Sequence, residues 1–246
     1  MEAADKIAIR ALYEKVGPEL HSYLCRLVIR PQVAEDLVQA TFVRALENES
    51  SLPSDGGGRR AWLFKVATHL AFDSLRLHSQ WRETMMGDLR EEAESNPAFI
   101  AQSIAWVGTP EMKAIAREHL AACFACTLRN LPEQQAAALL LKEVHGFSVE
   151  EISGLLKATP GQVKNWLQEA RAYMSRRYQK TCALIAKEGI CYQCVELDEF
   201  FKAGQGSPLP FQGKDVDSRL REVADLRERP WGQWHRMLFS VLDDLK

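Results

Sequence analysis

Six side chains with the chemistry of metal ligands stand in two parts of the sequence: His119, Cys123, Cys126, Cys182, Cys191 and Cys194. The first three have the spacing His-x-x-x-Cys-x-x-Cys, which puts them on one face of a helix. The last two form a second Cys-x-x-Cys pair. Thiolates and imidazoles at such spacings are common zinc ligands, so the pattern makes zinc the candidate cofactor.

The cysteines also admit a purely structural interpretation, because cysteine outside disulfides is among the most buried residue types. Met112, Ile115 and Ala116 continue the helical face that carries Cys123 and Cys126, as expected of a helix that faces a core. If the two pairs instead meet around one metal ion, or form one redox switch, they pin the C-terminal extension against the preceding domain. The sequence leaves both interpretations open.

Residues 131–178 have the pattern of a helix-turn-helix, whose first helix opens at Leu131-Pro132-Glu133 and ends at Gly146. Ser148 and Thr159 each stand three residues before a Glu or Gln, which predicts capping boxes for the next two helices. The last helix leaves polar side chains opposite its apolar stripe: Gln162, Lys164, Asn165, Gln168, Glu169 and Arg171. Such side chains contact base edges in a major groove, although similar helix pairs occur in proteins that never bind DNA.

Charge is unevenly distributed along the 246 residues, although the net charge is only −2. Residues 59–82 carry five basic residues and one acid, and residues 157–180 carry six basic residues and one acid. Between them, residues 83–94 carry five acids and one arginine. Two basic patches around an acidic linker suit a protein that holds one polyanion at two places, although charge runs are often only solvated helix faces.

Helical patterns cover most of the chain, and no strand pattern of consequence occurs. Ala34, Leu37, Val38, Thr41, Phe42 and Ala45 form the apolar stripe of one helix. Upstream, Pro18 predicts a kink or a new helix start. Downstream, a helix is predicted over residues 59–77 with Leu63, Val66, Leu70 and Leu75 inside. The tail ends in a predicted amphipathic helix that carries Trp234, Leu238, Val241 and Leu245 on one face and either covers a core or regulates the domains before it.

Three stretches together resemble the extracytoplasmic-function (ECF) group of bacterial RNA polymerase sigma factors. They are the AEDLVQATFVRAL segment of residues 34–46, the segment from residue 60 to 82 that begins RAWLFKVATHLA, and residues 131–178, which include LPEQQ and Glu150-Glu151-Ile152. The resemblance implies an all-α fold of two small helical domains joined by a flexible linker, with a C-terminal helical extension. The expected boundaries are residues 1–82 for sigma region 2, 83–110 for the linker, 111–180 for the region 4 helix-turn-helix, 181–203 for the cysteine-containing extension, and 204–246 for a second linker and the C-terminal helix.

The resemblance also implies roles for particular residues. Asp36, Gln39 and Phe42 match the helix that binds the clamp helices of core RNA polymerase. Downstream-element DNA would be contacted and melted by the segment containing Arg60, Lys65, His69, Arg76, Trp81 and Arg82. Upstream-element DNA would be contacted by Gln162, Lys164, Asn165 and Gln168, with Arg171 and Arg176 on phosphates. This chain departs from the family at His69, where most relatives have Asn, and at Trp166 and Glu169, where relatives often have Arg, so its promoter sequence does not follow from the resemblance.

Four aromatic residues lie among the basic residues of the expected downstream-element segment: Trp62, Phe64, Phe72 and Trp81. Such a mixture can hold phosphates and stack unpaired bases. We expect Trp62 to be a core residue and Trp81 to be the better stacking candidate. Melting would then be driven by binding energy, because the capture of unpaired bases offsets unstacking.

The sequence contains no nucleotide-binding loop, catalytic triad or paired carboxylates, so an enzyme is not expected. The partners expected of a sigma factor are core RNA polymerase, promoter DNA and an anti-sigma factor. No apolar run is long enough to span a bilayer and no secretory segment is recognisable, which predicts a cytoplasmic location. The alternative function is a stand-alone helix-turn-helix regulator that uses its N-terminal helices for dimerisation or sensing.

Overall fold

The computed structural model describes residues 2–77, 95, 97, 121–181 and 216–229. These residues form helices and connecting turns, and no strand occurs among them, so the predicted all-α class is confirmed. Several sequence predictions lie outside the described residues: most of the linker over residues 83–110, the helix face of Met112, Ile115 and Ala116, the extension that contains Cys182, Cys191 and Cys194, and the helix around Trp234. None of the described helices is long and apolar enough to cross a membrane.

The first three helices form a bundle, here called the N-terminal bundle: α1 is Glu2–Val28, α2 is Pro31–Glu47 and α3 is Gly56–Leu77. A short 3-10 helix, Glu49–Ser51, precedes α3. The predicted stripe of α2 is buried throughout. The turn between α1 and α2 is tight because Ile29 adopts a φ of 64°, a strained value for a β-branched residue, and its fully buried side chain helps to hold it there.

Two details of this bundle differ from the sequence predictions. α1 does not start anew at Pro18, because buried residues on both sides of the proline, Val16 and Leu20, pack the helix as one element. α3 begins at Gly56, before the predicted residue 59, since the Asp55 carboxylate accepts a 2.7 Å hydrogen bond from the Gly58 N–H. Within α3, Val66 and Leu70 are only partly buried, whereas the residues facing the core are Leu63, Phe64, Ala67, Ala71, Phe72 and Leu75.

Residues 121–181 form the second unit, here called the helix-turn-helix unit. Its helices are α4 (residues 121–128), α5 (Glu133–Leu139), α6 (Val149–Leu156) and α7 (Pro160–Thr181). Both predicted capping boxes are present: Ser148 and Glu151 exchange hydrogen bonds of 2.7 and 3.1 Å, and Thr159 and Gln162 exchange bonds of 2.8 and 3.2 Å. The turn between α6 and α7 passes through Lys157, which has a left-handed φ of 53°.

Between α5 and α6 the backbone forms a π turn, Leu140–Val144. The N–H of His145 bonds to the Leu140 carbonyl, and Gly146 then takes a φ of 71°. The helical segment ends at Gly146, as predicted from the sequence. Glycine adopts a left-handed φ without the strain that it causes in other residues. The π turn and the glycine together direct His145 and Phe147 toward the N-terminal bundle, where both side chains are buried.

A further helix, α8 (Val216–Asp225), packs against the π turn and α7. This helix was not predicted from the sequence, although the helical spacing of Val216, Leu220 and Val223 indicates it. Leu220 and Val223 are buried, whereas Asp217, Arg221 and Asp225 are exposed. α8 therefore buries its apolar face against the helix-turn-helix unit.

Candidate nucleic-acid interface

The first half of α7 presents the exposed polar surface that its sequence predicts. Gln162, Lys164, Asn165 and Gln168 are exposed, while Val163, Ala170 and Met174 are fully buried beneath them. Asn165, Gln168, Glu169 and Arg176 line a shallow groove on this surface. A helix held by its buried stripe and capped at its start can place these side chains in a major groove.

Three predicted contact residues of this helix have intramolecular partners. The Gln162 side chain closes the capping box with Thr159, so it supports the start of α7 as well as facing outward. Glu169 accepts a 2.6 Å hydrogen bond from Gln135 of α5. Arg171 is paired with Glu143 and with Asp217 of α8, each at 2.7 Å. The exposed residues Lys164, Asn165 and Gln168 are therefore the strongest candidates for base contacts.

The predicted polymerase-binding residues lie on α2, but they do not share one surface. Asp36 and Gln39 are exposed. Phe42 is only 6% exposed, and its ring packs edge-on against Tyr13 at 5.0 Å, so it is a core residue in this conformation rather than a contact residue. The exposed apolar positions nearby are Val43 and Leu46, at 50% and 45%. These two side chains form an exposed apolar patch beside Asp36 and Gln39, which was not predicted from the sequence.

α3 carries the residues predicted to contact downstream-element DNA. Lys65 and His69 are partly exposed, Arg76 is exposed, and Trp81 and Arg82 lie outside the described residues. Trp62 packs partly buried against the core, in agreement with its predicted core role. Phe64 and Phe72 are buried, so neither is accessible for base stacking in this conformation, contrary to the suggestion made by their place among basic residues.

Arg60 is not on the exposed surface either, because it lies where the N-terminal bundle meets the helix-turn-helix unit. Its guanidinium forms a two-pronged pair with Glu19, with donor–acceptor distances of 2.6 and 2.9 Å. It also donates to the carbonyl of His145 at 2.7 Å and stacks over the Phe147 ring at 4.1 Å from the centroid. We call Glu19, Arg60, Phe64, His145 and Phe147 the junction.

The junction joins a salt bridge to a histidine and a set of aromatic rings. The His145 imidazole lies 3.0 Å from the Glu19 carboxylate through Nδ1. Phe64 packs against Tyr23, His145 and Phe147, with centroids 5.0 to 5.3 Å apart. The Tyr23 hydroxyl is hydrogen-bonded to Thr68 at 2.8 Å, and burial raises the pKa of Tyr23 above its usual range. Paired charges and packed rings together make this a specific contact between the two units. Among the described residues, the buried Nε2 of His145 has no hydrogen-bond partner.

Glu19 and His145 of the junction have shifted pKa values. Burial alone would raise the pKa of Glu19, but hydrogen bonds from Arg60 and His145 outweigh it and lower the value to about 2. Burial lowers the pKa of His145 to about 4, despite the hydrogen bond to Glu19. At neutral pH the junction therefore contains an ionised Glu19, a charged Arg60 and a neutral His145.

Glu19, Arg26 and His145 are the functional candidates that sequence reasoning missed. Arg26 is fully buried, and burial lowers its pKa to about 10, so it stays charged at neutral pH. The sequence could have indicated this residue, because Arg26 stands within the apolar run Leu24-Cys25-Arg26-Leu27-Val28. A charge that is buried in such a run needs specific partners. Glu19 and His145 gave no such signal, since each stands among ordinary helical neighbours.

Two of the six predicted metal ligands, Cys123 and Cys126, lie among the described residues. Cys126 is buried and Cys123 is partly buried on α4, where both pack against the core. Within the described ranges, which omit His119 and the three downstream cysteines, no group of three His, Cys, Asp or Glu side chains could hold a metal ion.

Comparison with known proteins gives two family matches, Sigma-70 region 2 over residues 12–82 and Sigma-70 region 4 over residues 121–174. The ECF RNA polymerase sigma-E factor of Haemophilus influenzae is 27% identical over 180 residues, covering 73% of this chain and 92% of that protein. The RNA polymerase sigma-H factor of Pseudomonas aeruginosa is 26% identical, covering 73% and 90%. A solved structure, the sigma factor RpoE in complex with the anti-sigma factor NepR from Bartonella quintana, is 21% identical with a TM-score of 0.47, covering 68% of this chain and 94% of that one.

The two family matches together span about half of the chain, in the order that promoter recognition requires. A stand-alone helix-turn-helix regulator needs no region 2, so the match over residues 12–82 disfavours that alternative. Sigma factors direct initiation while polymerase performs the chemistry, which makes the chain a non-enzymatic factor. The chain belongs to the sigma-70 family as an ECF sigma factor, a protein that binds core RNA polymerase and directs promoter-specific transcription initiation.

Proposed function

We propose that this sigma factor reads its upstream promoter element with the first turns of α7 and holds the downstream element with α3. The observation that carries this proposal is the row of exposed polar side chains on α7, Gln162, Lys164, Asn165 and Gln168, above a fully buried stripe. Lys65, His69, Arg76, Trp81 and Arg82 complete the DNA-contacting set on α3 and beyond it, and Arg176 supplies a phosphate contact. Arg60 and Arg171 join this set only when released from their intramolecular partners.

The substitution Asn165→Ala should lower promoter-specific transcription about tenfold, because one lost base contact is worth about 1–3 kcal/mol. The measurement is run-off transcription with core polymerase on a fragment library, followed by titration of one selected promoter. Gln179→Ala is the matched control, since Gln179 is also exposed on α7 but lies beyond the surface proposed to enter the groove. Equal activity of the two variants on the selected promoter would contradict the assignment of Asn165.

Core polymerase is proposed to dock on the exposed face of α2, through Asp36, Gln39 and the apolar pair Val43 and Leu46. Exposed apolar side chains beside polar ones suit a protein interface. Phe42 supports this face from inside by its contact with Tyr13. Since core polymerase and promoter DNA meet in the cytoplasm of a bacterium, we propose that the protein acts there. An anti-sigma factor is a further partner that the family resemblance implies.

The cysteines are proposed to give metal-dependent control, with zinc held by His119, Cys123 and Cys126 together with a thiolate from Cys182, Cys191 or Cys194. The support is the spacing of these residues and the position of Cys123 and Cys126 on one short helix at the start of the helix-turn-helix unit. The alternative control is oxidation, in which two thiols form a disulfide and pass two electrons and two protons to an oxidant such as a peroxide.

Protein purified without added zinc should contain about one zinc per chain if this proposal holds, because a closed four-ligand site retains its metal. The measurement is metal analysis combined with titration of the six thiols before and after chelation. Cys25→Ser is the matched control, since Cys25 is buried in α1 and is not among the proposed ligands. A metal-free chain whose fold and thiol reactivities are unchanged by chelation would refute zinc binding.

A further inference from the structure

Residues 216–229, here called the strap, connect the two units of the sigma factor. The strap consists of α8 and the turn that follows it. Leu220 and Val223 are 4% and 0% exposed, and they anchor α8 against the π turn and α7 of the helix-turn-helix unit. Leu226 packs partly buried at the end of the strap. The apolar face of the strap is thus largely buried in an intramolecular contact.

The two ends of the strap are held by arginines from different units. At its start, Asp217 pairs with Arg171 of α7 at 2.7 Å. At its end, the carbonyls of Leu226 and Arg229 accept hydrogen bonds from Arg26 of α1, at 2.8 and 3.2 Å. Arg26 is fully buried and charged, and it also donates to Ser22. These two carbonyls lie in the turn after α8, and each offers an oxygen lone pair to the buried guanidinium.

In this closed arrangement, three arginines assigned to promoter DNA are engaged with acids. Arg60 is paired with Glu19 and covered by His145 and Phe147. Arg171 is paired with Glu143 and Asp217. Arg76 lies 3.4 Å from Asp73 and 3.8 Å from Glu133 of the helix-turn-helix unit. The surface of α3 around Arg60 faces protein, so it cannot receive a DNA strand until the two units separate.

We infer that the strap is an intramolecular lock, which holds region 2 and region 4 together and must detach before Arg60 and Arg171 can contact the promoter. This inference rests on the proposed DNA-contacting roles of these two arginines. The occupant of the surface formed by the π turn, α7 and Arg26 is the chain's own segment 216–229. The strap therefore regulates a sigma factor from within its own sequence.

The contacts of the strap are of a kind that can be exchanged without unfolding either unit. The Asp217 and Arg171 side chains are 65% and 40% exposed, so water replaces this pair readily. When the strap leaves, Arg26 becomes accessible to water, which can solvate its charge in place of the two carbonyls. The strap is therefore held mainly by the buried apolar pair Leu220 and Val223. A substitution in this pair is the most direct test of the lock.

The test uses the full chain with two strap variants and one control. Val223→Asp puts an unpaired charge into a fully buried position of the strap and should eject it. Asp217→Lys reverses the charge opposite Arg171 and should weaken one end. Asp225→Lys makes the same change in charge at an exposed position of the same helix. The readouts are hydrogen–deuterium exchange of residues 216–229 and 140–147, co-elution with core polymerase, and run-off transcription from a selected promoter.

We expect Val223→Asp to raise exchange in both segments and to raise transcription at limiting sigma factor by about tenfold, with about threefold for Asp217→Lys and no change for Asp225→Lys. Detachment of the strap with unchanged transcription would overturn the lock while leaving the sigma-factor function intact. Failure of every variant and of the wild-type chain to co-elute with core polymerase would instead refute the function itself. If Val223→Asp also raises the hydrogen exchange of residues 149–178, the helix-turn-helix unit has unfolded. Asp217→Lys alone then tests whether the strap is a lock.

Discussion

Replacing Phe64 by alanine should lower the free energy of unfolding by about 3–5 kcal/mol, because a fully buried aromatic ring is removed and a cavity remains. Phe64 has no exposed surface and packs against Tyr23 within the N-terminal bundle and against His145 and Phe147 across the junction. The loss therefore falls on both units at once. Chemical denaturation monitored by circular dichroism measures it.

The matched control for this prediction is Phe72→Ala, on the same helix two turns later. Phe72 is also buried, at 7% exposure, but has no ring contact at the junction. Both variants should lose stability, whereas only Phe64→Ala should raise the hydrogen exchange of residues 140–147, since only Phe64 supports the π turn from across the junction. A loss below about 1 kcal/mol for Phe64→Ala would mean that its ring is not packed as described.

Local features of the fold were predictable because they are encoded by neighbouring residues. A capping box needs two residues three apart, and the boxes of Ser148 with Glu151 and Thr159 with Gln162 form as predicted. The end of the first helix at Gly146 follows from one left-handed residue. The stripe of α2 follows from helical periodicity. Each of these features is encoded by a few residues within one element.

The junction was not predictable, because its members come from distant parts of the chain. Glu19, Arg60 and His145 belong to three elements, and no local pattern states that they meet. Resemblance to a family assigns Phe42 and Arg60 to contact positions, but it does not say which way a side chain points in the closed form. Phe42 is turned inward on Tyr13, and Arg60 is held by Glu19. Orientation depends on tertiary packing, which the sequence pattern does not contain.

Under the proposed lock, Arg60 takes part in both the closed form and the promoter-bound form. In the closed form its charge is neutralised by Glu19 and its planar face is covered by Phe147. An arginine with these properties is also suited to a phosphate and an unpaired base, which offer the same charge and the same flat surface. The junction thus occupies Arg60 with an internal substitute for nucleic acid, so under the proposed function the closed junction and the promoter compete for one side chain.

Acid should loosen this junction in a pH range set by His145. The pKa of His145 is lowered to about 4 in the folded chain, against an ordinary value of 6.5, because the ring is buried and faces the charges of Arg26 and Arg60. Between these two values the unfolded chain binds a proton that the folded chain does not, so stability rises with pH there and is lost as the pH falls. Glu19 has a pKa of about 2, so its contribution is fully present above its ordinary value of 4.5 and is lost only below it.

The free energy of unfolding should therefore fall by about 2 kcal/mol between pH 8 and pH 5 through His145 alone. Urea denaturation at half-unit steps of pH measures this slope. His145→Gln is the decisive comparison, since glutamine has a donor for Glu19 but stays neutral throughout, and its stability should be nearly constant over the same range. If the variant and the wild-type chain lose stability in parallel, a group other than His145 controls the acid response. If only the wild-type chain loses stability, and exchange at residues 140–147 rises with it, protonation of His145 is what separates the two units.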